Sequence, residues 1–393
     1  MSSRQSHYQS YEITAPIRPF EIRIAEDSLA DLRDRLERTR WPEQVGRDWR
    51  YGTPVGYLKQ LCAYWRDGYH WRSWEQRLNA FGHFKIGCGD IDLHFIHERS
   101  KHHNAVPLII IHGWPSTFFE FHKIIGPLTE PERFGGNKDD AFHVVCPSIP
   151  GFGFSSPPTH PGFETRAAGR LFMRLMGSLG YERYFVQGGD LGAGIALKTG
   201  RLAQERIAGI HLSMPLVFAP KDDPMRGVSQ AEIDRMEKTK DPDEGGYGRI
   251  QGTKPQSLGY GLHDSPAGLA AWITEKFHGW TQHQGDHEEA VSREELLTNI
   301  SIYWFTGTIT SSARYYYECA HFDDAGVVEP PTIPAPVAFA LFPGDLLHPP
   351  RAWAQRQFNV SRWTEMPRGG HFAALEAPDL LVEDVRAAFR PFR

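Results

Sequence analysis

Apolar residues recur along this chain with two spacings, and the switches between them outline its elements. Between Ser28 and Arg38, the leucines Leu29, Leu32 and Leu36 fall on one helical stripe, with Asp27 or Ser28 as the expected cap and a stop before Trp41-Pro42. From there to about Phe84 the chain is dense in aromatics: Trp41, Trp49, Tyr51, Tyr57, Tyr64, Trp65, Tyr69, Trp71 and Trp74. Large rings at that density are expected to anchor a segment that wraps a larger body. Strict alternation then sets in, and Phe84 to Ile86, a turn at Gly87-Cys88-Gly89-Asp90 and Ile91 to Phe95 predict an antiparallel hairpin. Continuous apolar runs at Leu108 to Ile111, His143 to Cys146, Tyr184 to Gln187 and Ile207 to Leu212 predict buried strands. Helical periods lie between them, from Thr165 to Leu179 and from Leu191 to Leu197.

That alternation of strand and helix predicts a mostly parallel sheet joined by crossovers, hence an α/β architecture. From Val217 to Val328 the pattern is helical, broken by charged, glycine-containing loops such as Lys238 to Gly248, and reads as an inserted helical cap. Strand character returns at Val337 to Phe342 and Val360 to Thr364, followed by a helix after Pro378 with Leu380, Leu381, Val385 and Phe389 on its apolar face. The expected division is an N-terminal wrapping segment over 1–83, a core in two parts over 84–216 and 329–393, and a cap over 217–328.

Composition narrows the function. A length of 393 residues suits one large α/β domain with an insertion. A formal charge of −5, with cations spread singly, offers no surplus for a phosphate backbone, so nucleic acid is not an expected partner. The longest apolar runs, Pro107 to Ile111 and Val337 to Phe342, are strand-length, and Met1 to Phe20 has no secretory apolar segment, which predicts a cytoplasmic protein. Cys62, Cys88, Cys146 and Cys319 are dispersed, as expected of reduced, mostly buried thiols. The nearest approach to a metal motif is His283 and His287 with Asp286 and Glu288, whose polar surroundings read as a solvated loop, so neither metal nor cofactor is expected.

The chemistry concentrates at Gly188-Gly189-Asp190-Leu191-Gly192-Ala193. Small residues between a buried strand and a helix permit a sharp turn that lifts one side chain to its apex; here that side chain is a carboxylate. Ionised at neutral pH without help from a base, it can attack a saturated carbon and form an ester. A plain glycine turn is the alternative. Removing the ester needs a base, a group to orient it and donors for the oxyanion. His371, in the loop Arg368-Gly369-Gly370-His371-Phe372, arrives in the chain order expected of the base. Asp345, in Pro343-Gly344-Asp345 at the end of a strand, would orient it; an Asx-turn role, or a part for nearby His348, stays open. Backbone amides of Leu191, after the nucleophile, and of Trp114, in His112-Gly113-Trp114-Pro115, are the expected oxyanion donors.

With these marks stand Arg38-Thr39-Arg40-Trp41-Pro42, Gly151-Phe152-Gly153-Phe154-Ser155 and Tyr303-Trp304-Phe305-Thr306-Gly307-Thr308. Together they make the chain resemble the microsomal-type epoxide hydrolases of the α/β-hydrolase fold, from about Ile17 to Phe389. The resemblance implies that Asp190 opens an epoxide, that His371 with Asp345 activates water, and that Trp114 and Leu191 hold the oxyanion. It also implies two cap tyrosines on the epoxide oxygen, Tyr247 and, among Tyr315, Tyr316 and Tyr317, Tyr316. The implied partners are a small-molecule epoxide and water, with a homodimer left open. Two departures stand out: the chain starts too near its wrapping segment for the membrane anchor of microsomal members, and Asp345 replaces the glutamate of some relatives. The rivals are a haloalkane dehalogenase, which would typically carry tryptophan where Leu191 stands, and a hydrolase-fold binding protein without turnover. Which epoxide is used, and whether for detoxification or natural-product synthesis, is not legible from residue types.

Overall fold

The computed structural model describes residues 11–238, 243–321 and 332–393. The expected cap boundary near Val328 and residues 239–242 of the charged loop lie outside these. The first strand, β1 (Ile13–Pro19), precedes three helices, α1 (Glu26–Glu37), α2 (Val55–Asp67) and α3 (Trp71–Leu78). The hairpin β2 (His83–Cys88) and β3 (Ile91–Glu98) follows, then β4 (Val106–Ile111), α4 (Ile125–Thr129), β5 (Phe142–Pro147), α5 (Thr165–Ser178), β6 (Tyr184–Gly188), α6 (Leu191–Leu202) and β7 (Ile207–Leu212). Six cap helices come next, α7 (Gln230–Lys238), α8 (Gly246–Thr253), α9 (Pro255–Asp264), α10 (Pro266–Trp280), α11 (Arg293–Thr306) and α12 (Ile309–His321). The chain closes with β8 (Val337–Leu341), α13 (Arg351–Gln357), β9 (Val360–Glu365), α14 (Ala373–Glu376) and α15 (Pro378–Phe389).

The strands form one sheet in the order β1-β2-β3-β5-β4-β6-β7-β8-β9. Pairings are antiparallel from β1 through β5 and parallel from β5 to β9. Every residue of β6, β7 and β8 is buried, which explains why these strands read as unbroken apolar runs. The step from β5 to β4 and on to β6 is where the strand order reverses, and in open α/β sheets ligands gather beyond the carboxyl ends of strands at such a point.

The aromatic-rich N-terminal stretch does anchor itself, chiefly on the cap. Trp65 Nε1 donates to Ser301 Oγ at 2.9 Å, Tyr69 and Thr298 hydroxyls meet at 2.9 Å, and Thr53 Oγ1 donates to the Ala271 carbonyl at 2.8 Å. Three expectations are corrected, and one strand is added. Helix α1 starts two residues earlier than expected, at Glu26, and its N-cap, Ala25, offers no side-chain cap; the first-turn acids Glu26 and Asp27 favour its N-terminus through the helix dipole instead. Strand β1 has no counterpart among the expected elements, because its largely exposed position at the sheet edge leaves no apolar run. His287 does not sit in a solvated loop: it is buried, with Nε2 3.0 Å from the Tyr57 hydroxyl and its ring edge-on to Trp49. Finally, the microsomal label is withdrawn, since among the described residues no helix is long and apolar enough to cross a membrane.

Candidate active site

Strand β6 ends at Gly188 and helix α6 begins at Leu191, so Asp190 sits on the turn between them with φ 50° and ψ −125°. That left-handed conformation is strained for a residue with a Cβ and is held here because glycine neighbours admit it. A Cβ on Gly192 would stand 2.0 Å from the Ile111 carbonyl oxygen, and one on Gly113 would stand 2.3 Å from Asp190 Cβ. The turn is therefore pressed against the end of β4, where the loop with Trp114 begins. The Trp114 amide donates to Asp190 Oδ1 at 2.8 Å, and the Leu191 amide, next along the chain, helps to favour the charged form of this carboxyl. Burial raises the Asp190 pKa, while His371 and the two amides pull it back.

The second oxygen, Oδ2, faces His371 Nε2 at 3.7 Å. The other ring nitrogen, Nδ1, is 2.8 Å from Asp345 Oδ1, which also accepts the Leu346 amide at 2.7 Å. Burial disfavours charge on His371, yet Asp345, Asp190 and Glu120 outweigh it and raise the pKa to about 9. The Asp345 pairing fixes Nδ1 as the protonated nitrogen and leaves Nε2 toward Asp190. Nearby His348 points its Nε2 to the Phe342 carbonyl at 2.9 Å, away from the pairing of His371 with Asp345.

Above the carboxylate, the hydroxyls of Tyr247, on α8, and Tyr316, on α12, lie 3.4 Å apart. The Trp114 ring stacks on Tyr247 at 5.0 Å and meets Tyr316 edge-on at 5.8 Å. The three consecutive tyrosines separate cleanly: Tyr315 is buried against Phe152 and Phe163, and Tyr317 is exposed and stacks on His321. Helix α11 fixes the Trp114 loop, since Asn299 Nδ2 donates to the Pro115 carbonyl at 2.7 Å and the Tyr303 hydroxyl to the Ser116 carbonyl at 2.9 Å. The structure thus brings together all seven residues singled out in the sequence, Asp190, His371, Asp345, Trp114, Leu191, Tyr247 and Tyr316.

Residues that the sequence did not flag also belong to this region. Burial raises the carboxyl of Glu120, which accepts from the Ser116 hydroxyl, to about 7. Burial likewise raises Glu376 to about 7, although it accepts the Gln282 and Phe372 amides at 2.9 and 3.0 Å. Trp280 lays its ring against His371 at 4.9 Å and takes the His371 amide on its carbonyl at 2.9 Å. An acid inside an apolar run, as in Phe118-Phe119-Glu120-Phe121, was the available signal. A second buried imidazole–carboxylate pair, His211 Nε2 to Asp384 Oδ2 at 3.0 Å, joins β7 to α15. Asp384 also accepts from Arg362 at 2.7 Å and Thr364 at 2.8 Å, so its oxygens tie α15 to the sheet. The Asp190 carboxylate has the Trp114 amide at 2.8 Å and His371 Nε2 at 3.7 Å, whereas the His211–Asp384 pair is engaged with β9 and α15.

An acidic elbow at the carboxyl end of a parallel sheet, roofed by an inserted helical cap, defines an enzyme of the α/β-hydrolase fold, and the family described as alpha/beta hydrolase fold matches residues 106–244. The family described as Epoxide hydrolase N terminus matches residues 17–121. Epoxide hydrolase 1 of Sus scrofa is 38% identical over 398 residues, covering 94% of this chain and 88% of that protein. Among solved structures, the Aspergillus niger epoxide hydrolase superposes with a TM-score of 0.85 at 30% identity, covering 98% of both chains. The juvenile hormone epoxide hydrolase from the silkworm Bombyx mori gives 0.83 at 30% identity, covering 97% of this chain and 95% of that one. The chain belongs to the epoxide hydrolase family.

Proposed function

We propose how the named residues divide the work in the epoxide hydrolysis that this chain performs. Asp190 Oδ2 attacks one epoxide carbon, the ring C–O bond breaks, and the departing oxygen takes the proton of Tyr247 or Tyr316. The product is a hydroxyalkyl ester on Asp190. His371, oriented by Asp345, then takes a proton from water, whose oxygen adds to the ester carbonyl. The oxyanion that forms is held by the Trp114 and Leu191 amides. Collapse expels the diol oxygen, which receives the proton from His371, and the proton left on the new carboxyl replaces the one the phenol gave up. One epoxide and one water yield one vicinal diol, with no cofactor.

The observation that carries this reading is the division of the Asp190 carboxylate: Oδ1 accepts the Trp114 amide at 2.8 Å while Oδ2 remains beside His371 at 3.7 Å. One oxygen is already where an oxyanion would develop, and the other is available to attack. In a single turnover in heavy-oxygen water, label should enter Asp190 and not the diol; label appearing directly in the diol refutes the covalent route. Asp190→Asn should block the first turnover, and His371→Gln should let the ester accumulate. The division into a wrap over 1–83, a core over 84–216 and 329–393, and a cap over 217–328 belongs to the same proposal, as do action in the cytoplasm and independence of nucleic acid. Dimerisation is left to a sedimentation measurement.

A further inference from the structure

Helix α10 carries a lysine where a surface cation is not expected. Lys276 is buried, and its Nζ stands 4.7 Å above the ring of Tyr247 and 5.4 Å from that of Trp280. Two carboxylates hold it there, Glu275 Oε2 at 2.7 Å and Glu244 Oε2 at 3.5 Å. Glu244 in turn accepts the Trp280 indole N–H at 2.7 Å, so the cation, the phenol and the wall of His371 form one packed unit. Burying an ammonium is costly unless its surroundings repay it, and two carboxylates with two ring faces supply that compensation.

We propose that Lys276 is a positioning residue for ring opening: fixed over the Tyr247 ring, its ammonium offsets the negative charge that the phenol gains as it donates to the epoxide oxygen. The proposal rests on Tyr247 acting as an acid, as given above. In the resting enzyme the phenol is neutral, and the cation meets only the quadrupole of the ring. As the proton passes to the leaving oxygen, the ring becomes more negative and its attraction to the ammonium grows, so the interaction is stronger in the transition state than before it. Without Lys276, Glu244 and Glu275 would face that ring uncompensated; burial foremost, then Asp190, and after it these two carboxylates already make the phenol a weaker acid. The ester-hydrolysis step develops its charge on Asp190 and His371 and should not depend on Lys276 in this way.

The test resolves the two chemical steps by stopped-flow tryptophan fluorescence with a styrene-type epoxide, using the full chain. Lys276→Met and Lys276→Gln should each slow ester formation about tenfold. Breakdown of the ester should stay within about twofold of the parent, and Lys276→Arg should restore most of the loss. In a Tyr247→Phe background, Lys276→Met should have little further effect, because the group through which it acts is gone. Equal losses in both backgrounds, equal losses in both steps, or no rescue by arginine would overturn the proposal while leaving Tyr247 as an acid. If Tyr247→Phe alone leaves ester formation unchanged, the acid role itself falls and this proposal with it. Retained thermal midpoints establish that each variant is folded; Lys276→Gln serves if the methionine variant is not.

Discussion

His371 has conflicting demands placed on it. With its pKa raised to about 9 by Asp345, Asp190 and Glu120 against the penalty of burial, the free enzyme holds the ring protonated at neutral pH, facing the Asp190 anion. A protonated ring cannot act as base. Forming the ester removes the charge on Asp190, and with it part of what keeps the proton on the ring; the ring then releases that proton to solvent, takes one up again once the Asp190 carboxylate is restored, and in between is free to act as the base of the second step. Two outcomes follow. Ester breakdown should accelerate with rising pH through an apparent pKa below about 9, and Asp190→Asn should titrate His371 at a lower pH than the parent, read from its ring resonances by NMR. A titration at or above that of the parent would contradict this coupling. At this scale the sequence was informative wherever residue type dictates chemistry: it singled out Asp190, His371 and Asp345, on a turn and two loops in a fixed chain order, for the nucleophile, base and orienting roles proposed above. It was silent on Glu120, Glu376, Trp280 and Lys276, whose importance comes from burial beside the imidazole or the phenol.

The elements explain how these side chains meet. Helix α6 can approach the end of β4 only because position 192 lacks a Cβ, which would otherwise lie 2.0 Å from a backbone oxygen that cannot rotate away. Gly192→Ala should therefore push α6 and the elbow off the sheet, lowering unfolding free energy in urea by about 1–3 kcal/mol or more and abolishing activity. An unchanged urea midpoint with full turnover would show the approach to be looser than described. Period and turn chemistry made most elements legible: the hairpin β2–β3, the parallel strands and α15 fall where alternation or helical spacing puts them. The start of α1 and the edge strand β1 escaped, one because first-turn acids serve it without a side-chain cap, the other because an edge strand need not alternate strictly.

Across the whole molecule, buried imidazoles set an acid limit. Burial lowers His83, His112 and His287 to about 4 and holds His94 well below its usual value. In the unfolded chain these rings bind protons below about 6.5, whereas the folded protein keeps them neutral. Stability that is complete above pH 6.5 is therefore lost as pH falls toward 4. The thermal midpoint should drop by several degrees between pH 7 and 5, before most carboxylates titrate; a flat profile over that interval would contradict it. His287 gives the effect a location, because it joins the N-terminal wrap to the cap through Tyr57 and Trp49. The same distinction separates what one-dimensional information decided from what it left open. Spacing and residue type determined the parallel sheet, the inserted cap, the acidic elbow and its base, since these depend on local period and on intrinsic chemistry. Tertiary structure alone decided which of three adjacent tyrosines faces Trp114, that His287 is buried, and that a lysine lies over a phenol, because each depends on elements far apart in sequence being packed against one another.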